Sequence, residues 1–138
     1  MSKNVIIVGG GMLGTVLATM LLTKGHGVKL IEMDREELLR LQRDLTGKLV
    51  VAGDGTDPDV LEASGIRAAD IVAATTGEDE TNLVVTSLAR FAFNVKRTAA
   101  RVNNPKNAWM FTPVMGVDVA ISQADTMAGL ILKETVTE

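Results

Sequence analysis

The segment "VIIVGGGMLG" (residues 5–14) places glycines in a GxGxxG spacing directly after an apolar run and before a helical pattern. In this context Gly9 allows a tight turn, Gly11 lets a pyrophosphate approach bare backbone, and Gly14 lets the helix lie close to the sheet. The free N–H groups at the start of the helix would bind an anion. The predicted phosphate-binding residues are Gly9, Gly10, Gly11, Met12, Leu13 and Gly14.

An acidic residue about 20 positions further on is the second part of a dinucleotide-binding pattern. Glu32 occupies that place at the end of "GVKLIEM", with Met33 beside it. Its carboxylate could accept both ribose hydroxyls, and it would repel a 2′-phosphate, which favours NAD or a simple adenine nucleotide over NADP. Two alternatives stay open. Glu32 could be a solvated acid in the "EMDREE" run, and Asp34 could contact the ribose, although Asp34 is expected to cap the next helix.

Polar residues also end three later strands of the predicted sheet. In "AGDGTD" (52–57), Asp54 and Gly55 could lie at an adenine edge, and Arg101 could pair with a phosphate or form a surface ion pair. In "TTGEDETN" (75–82), Thr75, Thr76 and Gly77 would face the phosphates or a second ribose. For the acids Glu78, Asp79 and Glu80 we expect helix-start chemistry and not ligand contact.

Residues for catalysis are scarce. The chain has no Tyr and no Cys, and His26, its single histidine, follows the first helix at the pole opposite the glycine turn. No nucleophile–base pair and no metal-ligand cluster is recognisable, so no catalytic or metal residue is predicted. A P-loop is excluded because Thr15-Val16 follow the last glycine where Lys then Ser or Thr is required. A methyltransferase, which also uses a glycine-rich turn and an acid, stays open.

Composition narrows the class of protein further. The 138 residues suit one domain, and a net charge of −3 with scattered Lys and Arg argues against nucleic acid as a partner. No apolar run is long enough to span a bilayer, and the chain enters a strand too early for a signal peptide. We therefore expect a cytoplasmic protein.

The elements that position these residues alternate between short β-rich runs and longer helical patterns. Six such units predict an α/β fold with a Rossmann-like, doubly wound, parallel six-stranded sheet in three α/β/α layers. The first helix should bury a stripe at Leu13, Val16, Leu17, Met20 and Leu21. Strands are predicted at 4–8, 27–33, 48–55, 69–77, 95–102 and 117–121, and helices at 12–25, 34–47, 57–66, 78–93, 104–114 and 122–134.

Several stretches together resemble the nucleotide-binding domain of potassium transport regulators, called RCK, KTN or TrkA-N. They are "VIIVGGGMLG", "GVKLIEMDRE", "VAGDGTDPDVLEASGIRAADIVAATTGEDETNLV", "ARVNNPKN" and "GVDVAIS". The "GD-x-TD" and "TG-x-D-x-TN" patterns are the most specific, because Rossmann folds in general do not carry them.

The resemblance implies a single domain over residues 1–138 that binds NAD(H) or AMP, ADP or ATP without catalysis. The separate C-terminal RCK domain of the family is expected to be missing because the chain stops at Glu138, and the chain would be either a stand-alone subunit or a fragment of a longer protein. It also implies a regulatory role at the membrane subunit of a potassium transporter or channel, on the inner face of the membrane. The glycines Gly9, Gly11 and Gly14 would hold phosphates, Glu32 the ribose, Asp54 and Gly55 the adenine, and Thr75, Thr76 and Arg101 the phosphate side. Family members often carry Asp at the position of Glu32, and the longer side chain of Glu32 would shift the ribose contact slightly. Many also carry a basic or polar residue at the position of Met12, and its absence here weakens the expectation of a triphosphate.

The resemblance further implies a homodimer or a higher ring. Candidate surfaces are the final helix, with Ala124, Met127, Ala128 and Ile131 on one face, and the "AWMF" segment (108–111). The final helix could equally pack on its own sheet, whereas Trp109 and Phe111 are expected to do so. Two other functions remain as alternatives: an NAD-dependent oxidoreductase or its cofactor-binding half, and a plain oligomerisation module.

Overall fold

The computed structural model describes residues 1–45 and 49–137, and six strands and five α-helices alternate along them. Gly47 and Lys48, predicted to end the second helix and begin the third strand, lie outside the described residues. The strands are β1 (Asn4–Val8), β2 (Gly27–Glu32), β3 (Val50–Ala52), β4 (Ile71–Ala74), β5 (Arg97–Arg101) and β6 (Val119–Ile121). The helices are α1 (Met12–Thr23), α2 (Arg35–Asp44), α3 (Pro58–Ala63), α4 (Asp79–Ser87) and α5 (Gln123–Thr137).

All six strands are parallel and follow the order β3-β2-β1-β4-β5-β6, which confirms the predicted doubly wound sheet. The order reverses between β1 and β4, where Val8 lies opposite Ala74. In such sheets the loops after these two strands separate to opposite faces and leave a crevice at the carboxyl ends. The glycine turn after β1 therefore lies at the point where ligands bind to folds of this kind.

The core lies on both faces of the sheet because the central strands are apolar on both sides. Ile6, Val8 and Val72 belong to one buried cluster, and Val5 and Ile7 to the other. Alternate residues of β1 thus face opposite layers, and its apolar run is explained by burial on both sides. β1 is the rigid base on which the glycine turn stands.

Helix α1 lies closer to the sheet than its large apolar residues predict. The buried positions are Gly14 and Ala18, whereas Val16 and Met20 are half exposed. The predicted stripe is therefore wrong at Val16 and Met20. Two small residues four apart allow close packing on the sheet, and this rotates the longer side chains at the flanks outward.

Two further segments differ from the expected elements. The helix predicted over 78–93 is α-helical only to Ser87 and continues as a π-helical turn over Leu88–Ala92. The helix predicted over 104–114 consists of two 3₁₀-helices, Pro105–Met110 and Pro113–Met115. Prolines at the first turn of each piece fit a chain that restarts and does not propagate one α-helix.

Two aromatic residues of the second segment separate in the structure. Phe111 is buried, as expected, but Trp109 is 76% exposed, so its predicted packing on the sheet is wrong. The large side chains of α5 are exposed as well, with Met127 59% and Leu130 58% accessible. The described apolar side chains of α5 therefore do not join the core of this domain.

The packing of α1 predicts the effect of substituting Gly14. A Cβ at Gly14 would overlap the carbonyl oxygen of Gly9, whereas a Cβ at Gly129 of α5 meets no atom within 4 Å. Gly14→Ala is expected to lower the free energy of unfolding by about 1–3 kcal/mol. Gly129→Ala, the matched control, is expected to raise it by up to about 1 kcal/mol through helix propensity. Urea unfolding measures both, and equal stabilities of the two variants would contradict the packing argument.

Candidate functional site

An open cleft of about 600 Å³ lies at the carboxyl ends of the strands, above the reversal between β1 and β4. Loops that follow β1, β2, β3 and β4, together with the end of β5, form its walls. Of the residues predicted for the site, those that line this cleft are Gly9, Gly11, Glu32, Met33, Asp54, Gly55, Thr75, Thr76, Gly77 and Arg101.

Four other predicted residues lie next to the cleft without lining it. Gly10 and Gly14 are buried under the glycine turn, where an added Cβ would meet Leu41 and Gly9 respectively. Met12 is 82% exposed at the start of α1. Leu13 lines an adjoining apolar groove, which shares Thr75 and Arg101 with the cleft.

The glycine turn contains three different uses of glycine. Gly9 has a φ of +111°, a conformation that side chains disfavour. Gly14 permits the close packing described above. A Cβ at Gly11 would meet nothing within 4 Å, and the backbone of Gly11 is extended with a φ of −69°. Packing within the described residues therefore does not require glycine at this position, and Gly11 presents bare backbone to the cleft.

Glu32 joins the end of β2 to the glycine turn. Its Oε1 accepts a hydrogen bond from the Gly10 N–H at 2.6 Å, and its Oε2 accepts from the N–H groups of Met33 at 3.0 Å and Asp34 at 2.8 Å. The carboxylate therefore holds the turn in place while it also lines the cleft. Asp34 precedes α2 as its N-cap residue, but its side chain makes no capping bond among the described contacts.

Arg40 of α2 is a residue that sequence reasoning missed. Its guanidinium donates to the carbonyl oxygen of Gly10 and, at 3.2 Å, to Thr15 Oγ1. Glu37 pairs with it and raises the pKa of the guanidinium, so the charge is retained. Arg40 thereby stabilises the glycine turn, and its donors are engaged by groups of the protein itself. Only the position of α2 relative to α1 could have revealed this.

The loop after β4 is held by hydrogen bonds of its own threonines. Thr75 Oγ1 donates to the carbonyl oxygen of Gly9 at 3.0 Å. Thr76 Oγ1 lies 2.6 Å from Asn82 Oδ1, which also accepts the Thr76 N–H at 3.0 Å. Both hydroxyls are thus engaged within the protein. The exposed Gly77 follows them, and a Cβ there would meet no atom within 4 Å.

Asp54 shapes the loop after β3. Its Oδ1 accepts hydrogen bonds from the backbone N–H of Thr56 at 2.9 Å and from Thr56 Oγ1 at 2.7 Å. The backbone bond and then the hydroxyl bond lower the pKa of Asp54, so its carboxylate stays ionised. Gly55 is buried against Val8, which brings this loop onto the end of β1.

The charges around the cleft are mostly negative. Arg101 is the one basic residue of the lining, and none of the ion pairs formed within residues 1–45 and 49–137 involves it. Its positive charge is therefore available to a ligand. The carboxylates of the lining are Glu32, Asp34, Glu37, Asp54 and Glu78.

Asp79 is a buried acid that the sequence analysis assigned to helix-start chemistry. Its Oδ1 accepts from Asn103 N at 2.6 Å and Asn103 Nδ2 at 3.1 Å, and its Oδ2 accepts from Asn104 N at 2.9 Å and Asn107 Nδ2 at 2.8 Å. Burial opposes ionisation, but these donors outweigh it and lower the pKa of Asp79. Asp79 therefore ties α4 to the loop after β5. The signal for this contact was an Asp following β4 and three Asn following the adjacent β5.

The described parts of the chain offer few residues for catalysis or metal binding. His26 lies at the opposite pole, where its Nδ1 accepts the Lys3 N–H at 2.9 Å. Within the described ranges no three His, Asp or Glu side chains come together as metal ligands. The helices of residues 1–45 and 49–137 include none that is long and apolar enough to cross a bilayer.

Known proteins resemble this chain in sequence and in fold. Residues 5–123 match the family model described as the TrkA-N domain. The Trk system potassium uptake protein TrkA homolog of Pyrococcus abyssi is 36% identical over 137 residues, covering 96% of this chain and 60% of the relative. TrkA of Mycobacterium tuberculosis is 37% identical over 135 residues, covering 97% and 60%. The chain thus spans about three-fifths of the length of these curated relatives.

A solved channel structure shares the fold. The GsuK channel bound to NAD superposes with a TM-score of 0.79 at 27% identity, covering 94% of this chain and 22% of that chain. A second structure of GsuK is bound to ADP, with a TM-score of 0.78 at 27% identity and coverages of 94% and 32%.

The hydrogen bonds of Asp79 predict a pH-dependent stability. A depressed pKa in the folded state means that the ionised carboxylate stabilises the fold above the ordinary Asp pKa of about 4, and that this stability is lost as the pH falls through the folded pKa. Asp79→Asn is expected to cost about 2–4 kcal/mol at pH 7, because its amide would face N–H donors. The exposed Asp59→Asn is the control. Urea unfolding between pH 7 and 3 should show the Asp79→Asn deficit shrinking, and a deficit that is constant with pH would contradict this account.

Proposed function

The chain belongs to the TrkA-N domain family, and on that premise we propose that it is a non-catalytic, nucleotide-sensing regulatory domain of a potassium uptake system or channel. The observation that carries the proposal is the cleft at the β1–β4 reversal, in which Gly11 offers bare backbone that the fold itself does not require. The ligand is NAD(H) or an adenine nucleotide, in keeping with relatives named as potassium uptake proteins and with the GsuK channel bound to NAD and to ADP.

The geometry supports a specific orientation of this ligand. The phosphates lie at Gly9 and Gly11 against the N-terminus of α1, where backbone N–H groups and the helix dipole favour an anion. The ribose lies at Glu32 and the adenine beside Asp54 and Gly55. Arg101 pairs with a phosphate or with the second half of a dinucleotide. The residues assigned to the phosphates, the ribose and the adenine belong to different loops or strand ends that line the cleft.

The charge balance favours ligands with few phosphates. Each added phosphate meets the carboxylates of the lining, while Arg101 alone supplies positive charge there. Met12 at the start of α1 adds none. We therefore rank AMP, ADP and NAD(H) above ATP, and NAD above NADP, because a 2′-phosphate would approach Glu32.

The absence of catalysis is part of the proposal. A hydride-transfer site needs a proton donor or acceptor beside the nicotinamide, and this chain has no Tyr. The acids with the firmest partners, Glu32 and Asp79, hold backbone N–H groups and so serve as structural acceptors. Binding energy at this cleft is thus used for recognition and signalling.

The partners follow from the family and from the exposed surface. We propose that the domain acts in the cytoplasm, at the inner face of the membrane, on the membrane subunit of a potassium transporter or channel. A homodimer or a ring would cover α5 together with the adjoining groove, which is lined by Leu13, Leu17 and Ile121. Exposed apolar side chains next to one another are typical of protein interfaces.

Nucleotide binding is tested by calorimetry with AMP, ADP, ATP, NAD and NADH. The chain should bind the better ligands at micromolar to sub-millimolar concentration, and Gly11→Val should abolish the heat signal because the new side chain occupies the phosphate position. The fold of Gly11→Val should persist, since a Cβ there meets no atom. Gly129→Val on α5 is the control and should bind normally. Full affinity in Gly11→Val, or turnover of NADH, would contradict the proposal.

Dimer formation is tested by sedimentation of the purified chain. Met127→Glu places a charge on the exposed apolar face of α5 and is expected to weaken a dimer by about tenfold or more, which corresponds to about 1.4 kcal/mol. Thr126→Glu, which lies outside the face formed by Ala124, Met127, Ala128 and Ile131, should leave the dimer intact. Dimers that are equally stable in both variants would place the interface elsewhere.

A further inference from the structure

We infer that the Thr76–Gly77 peptide, Asn103 and Asp79 form a relay that carries occupancy of the cleft to the exposed segment bearing Trp109. The inference rests on the proposed function, because it assumes that a nucleotide occupies the cleft. It adds a route by which binding alters the surface of the domain, and it assigns Asn103 as a positioning residue.

The first step is at the wall of the cleft. The carbonyl oxygen of Thr76 accepts hydrogen bonds from Asn82 Nδ2 at 3.1 Å and from Asn103 Nδ2 at 3.0 Å. In a trans peptide the C=O and the following N–H point in opposite directions. The two amides therefore also fix the direction of the Gly77 N–H, which belongs to a residue that lines the cleft. A ligand oxygen bound to that N–H would pull on the same peptide that Asn103 holds.

The second step passes from Asn103 to Asp79. The amide of Asn103 also lies 3.1 Å from Asp79 Oδ1, and its backbone N–H donates to the same oxygen at 2.6 Å. Asn103 thus has one side chain bonded to both the cleft wall and a buried carboxylate. A shift of the Thr76–Gly77 peptide changes the position of Asn103 relative to Asp79.

The third step leads from Asp79 to the surface. The other oxygen, Oδ2, accepts from Asn104 N at 2.9 Å and Asn107 Nδ2 at 2.8 Å. Asn104 caps the 3₁₀-helix Pro105–Met110, which carries Trp109. One carboxylate therefore holds both the residue that contacts the cleft wall and the start of the helix that carries the exposed indole.

The network is suited to move as a unit. Asp79 is only 8% exposed and Asn82 is fully buried, so leaving one of their polar atoms without a partner is unfavourable. The hydrogen-bonded residues of the relay therefore tend to shift together and keep their hydrogen bonds. The output segment is a 3₁₀-helix, whose hydrogen bonds are weaker than those of an α-helix, and Trp109 is 76% exposed. Small shifts at Thr76 therefore move the 3₁₀-helix Pro105–Met110, which is the most easily deformed part of the relay.

Trp109 is the single tryptophan of the chain, so its fluorescence reports this segment alone. The chain is titrated with ADP, and the affinity is measured independently by calorimetry. In the wild type the emission of Trp109 is expected to change saturably, with the same Kd as the heat signal. In Asn103→Ala the emission change is expected to be lost, while the affinity falls by about tenfold or less, since one positioning hydrogen bond is removed.

Two further variants complete the test. Asn107→Ala cuts the relay beyond the cleft, so its affinity should equal that of the wild type while its emission change is diminished; it also serves if Asn103→Ala does not fold. Asn4→Ala, at the opposite pole of β1, is the matched control and should alter neither quantity.

The outcomes separate the relay from the proposed function. Binding heat without any emission change in the wild type would overturn the relay alone. An emission change that persists in full in Asn103→Ala and Asn107→Ala would also overturn it, because the indole would then sense the nucleotide directly. No heat with ADP or with the other four nucleotides would overturn the proposed function, and the relay with it.

Discussion

The hydrogen bond from the Gly10 N–H to Glu32 joins the ends of β1 and β2, and the arrangement of the cleft depends on it. Thr75 holds the same turn from the β4 side through the carbonyl oxygen of Gly9, and Arg40 holds it from beneath. A backbone turn fixed from three directions keeps its N–H groups aimed at one place. Anion binding by backbone needs this preorganisation, because a flexible glycine turn would lose entropy on binding.

Glu32 consequently has two roles that are hard to separate. The same carboxylate stabilises the turn and lines the cleft, so its substitution would alter the phosphate site as well as the proposed ribose contact. The lining of the cleft has more carboxylates than the single guanidinium of Arg101, and this negative charge limits how much phosphate charge the cleft can accept. In the proposed function, ligand choice would thus depend on repulsion as much as on attraction. The exposed faces at α5 and Trp109 are where such a domain would contact other chains.

Particular residues mark how far the sequence could be interpreted. The glycine spacing, Glu32 and the loops at Asp54 and Thr76 were predicted to converge, and the structure brings them to one cleft. Whether they hold a nucleotide stays a prediction. Val16, Met20 and Trp109 were expected to be buried and are exposed, because periodicity records which side chains are apolar and not how close a helix lies to its sheet. No pattern marked the partner of Arg40, whereas the contacts of Asp79 were signalled only by an Asp following β4 and three Asn following β5.

The sequence by itself determined the alternation of strands and helices and the polar residues that end each strand, since both follow from local periodicity and turn chemistry. From these the doubly wound order and the place of the cleft could be inferred. Only the tertiary structure decided which polar groups serve the ligand and which serve the protein. Asp79 and Asn103 lie on different βα units. Arg40 lies on α2, whereas Gly10 lies in the turn after β1. Such bonds form only after the strand order and the helix positions have brought distant residues within hydrogen-bond reach, and no local pattern encodes that distance.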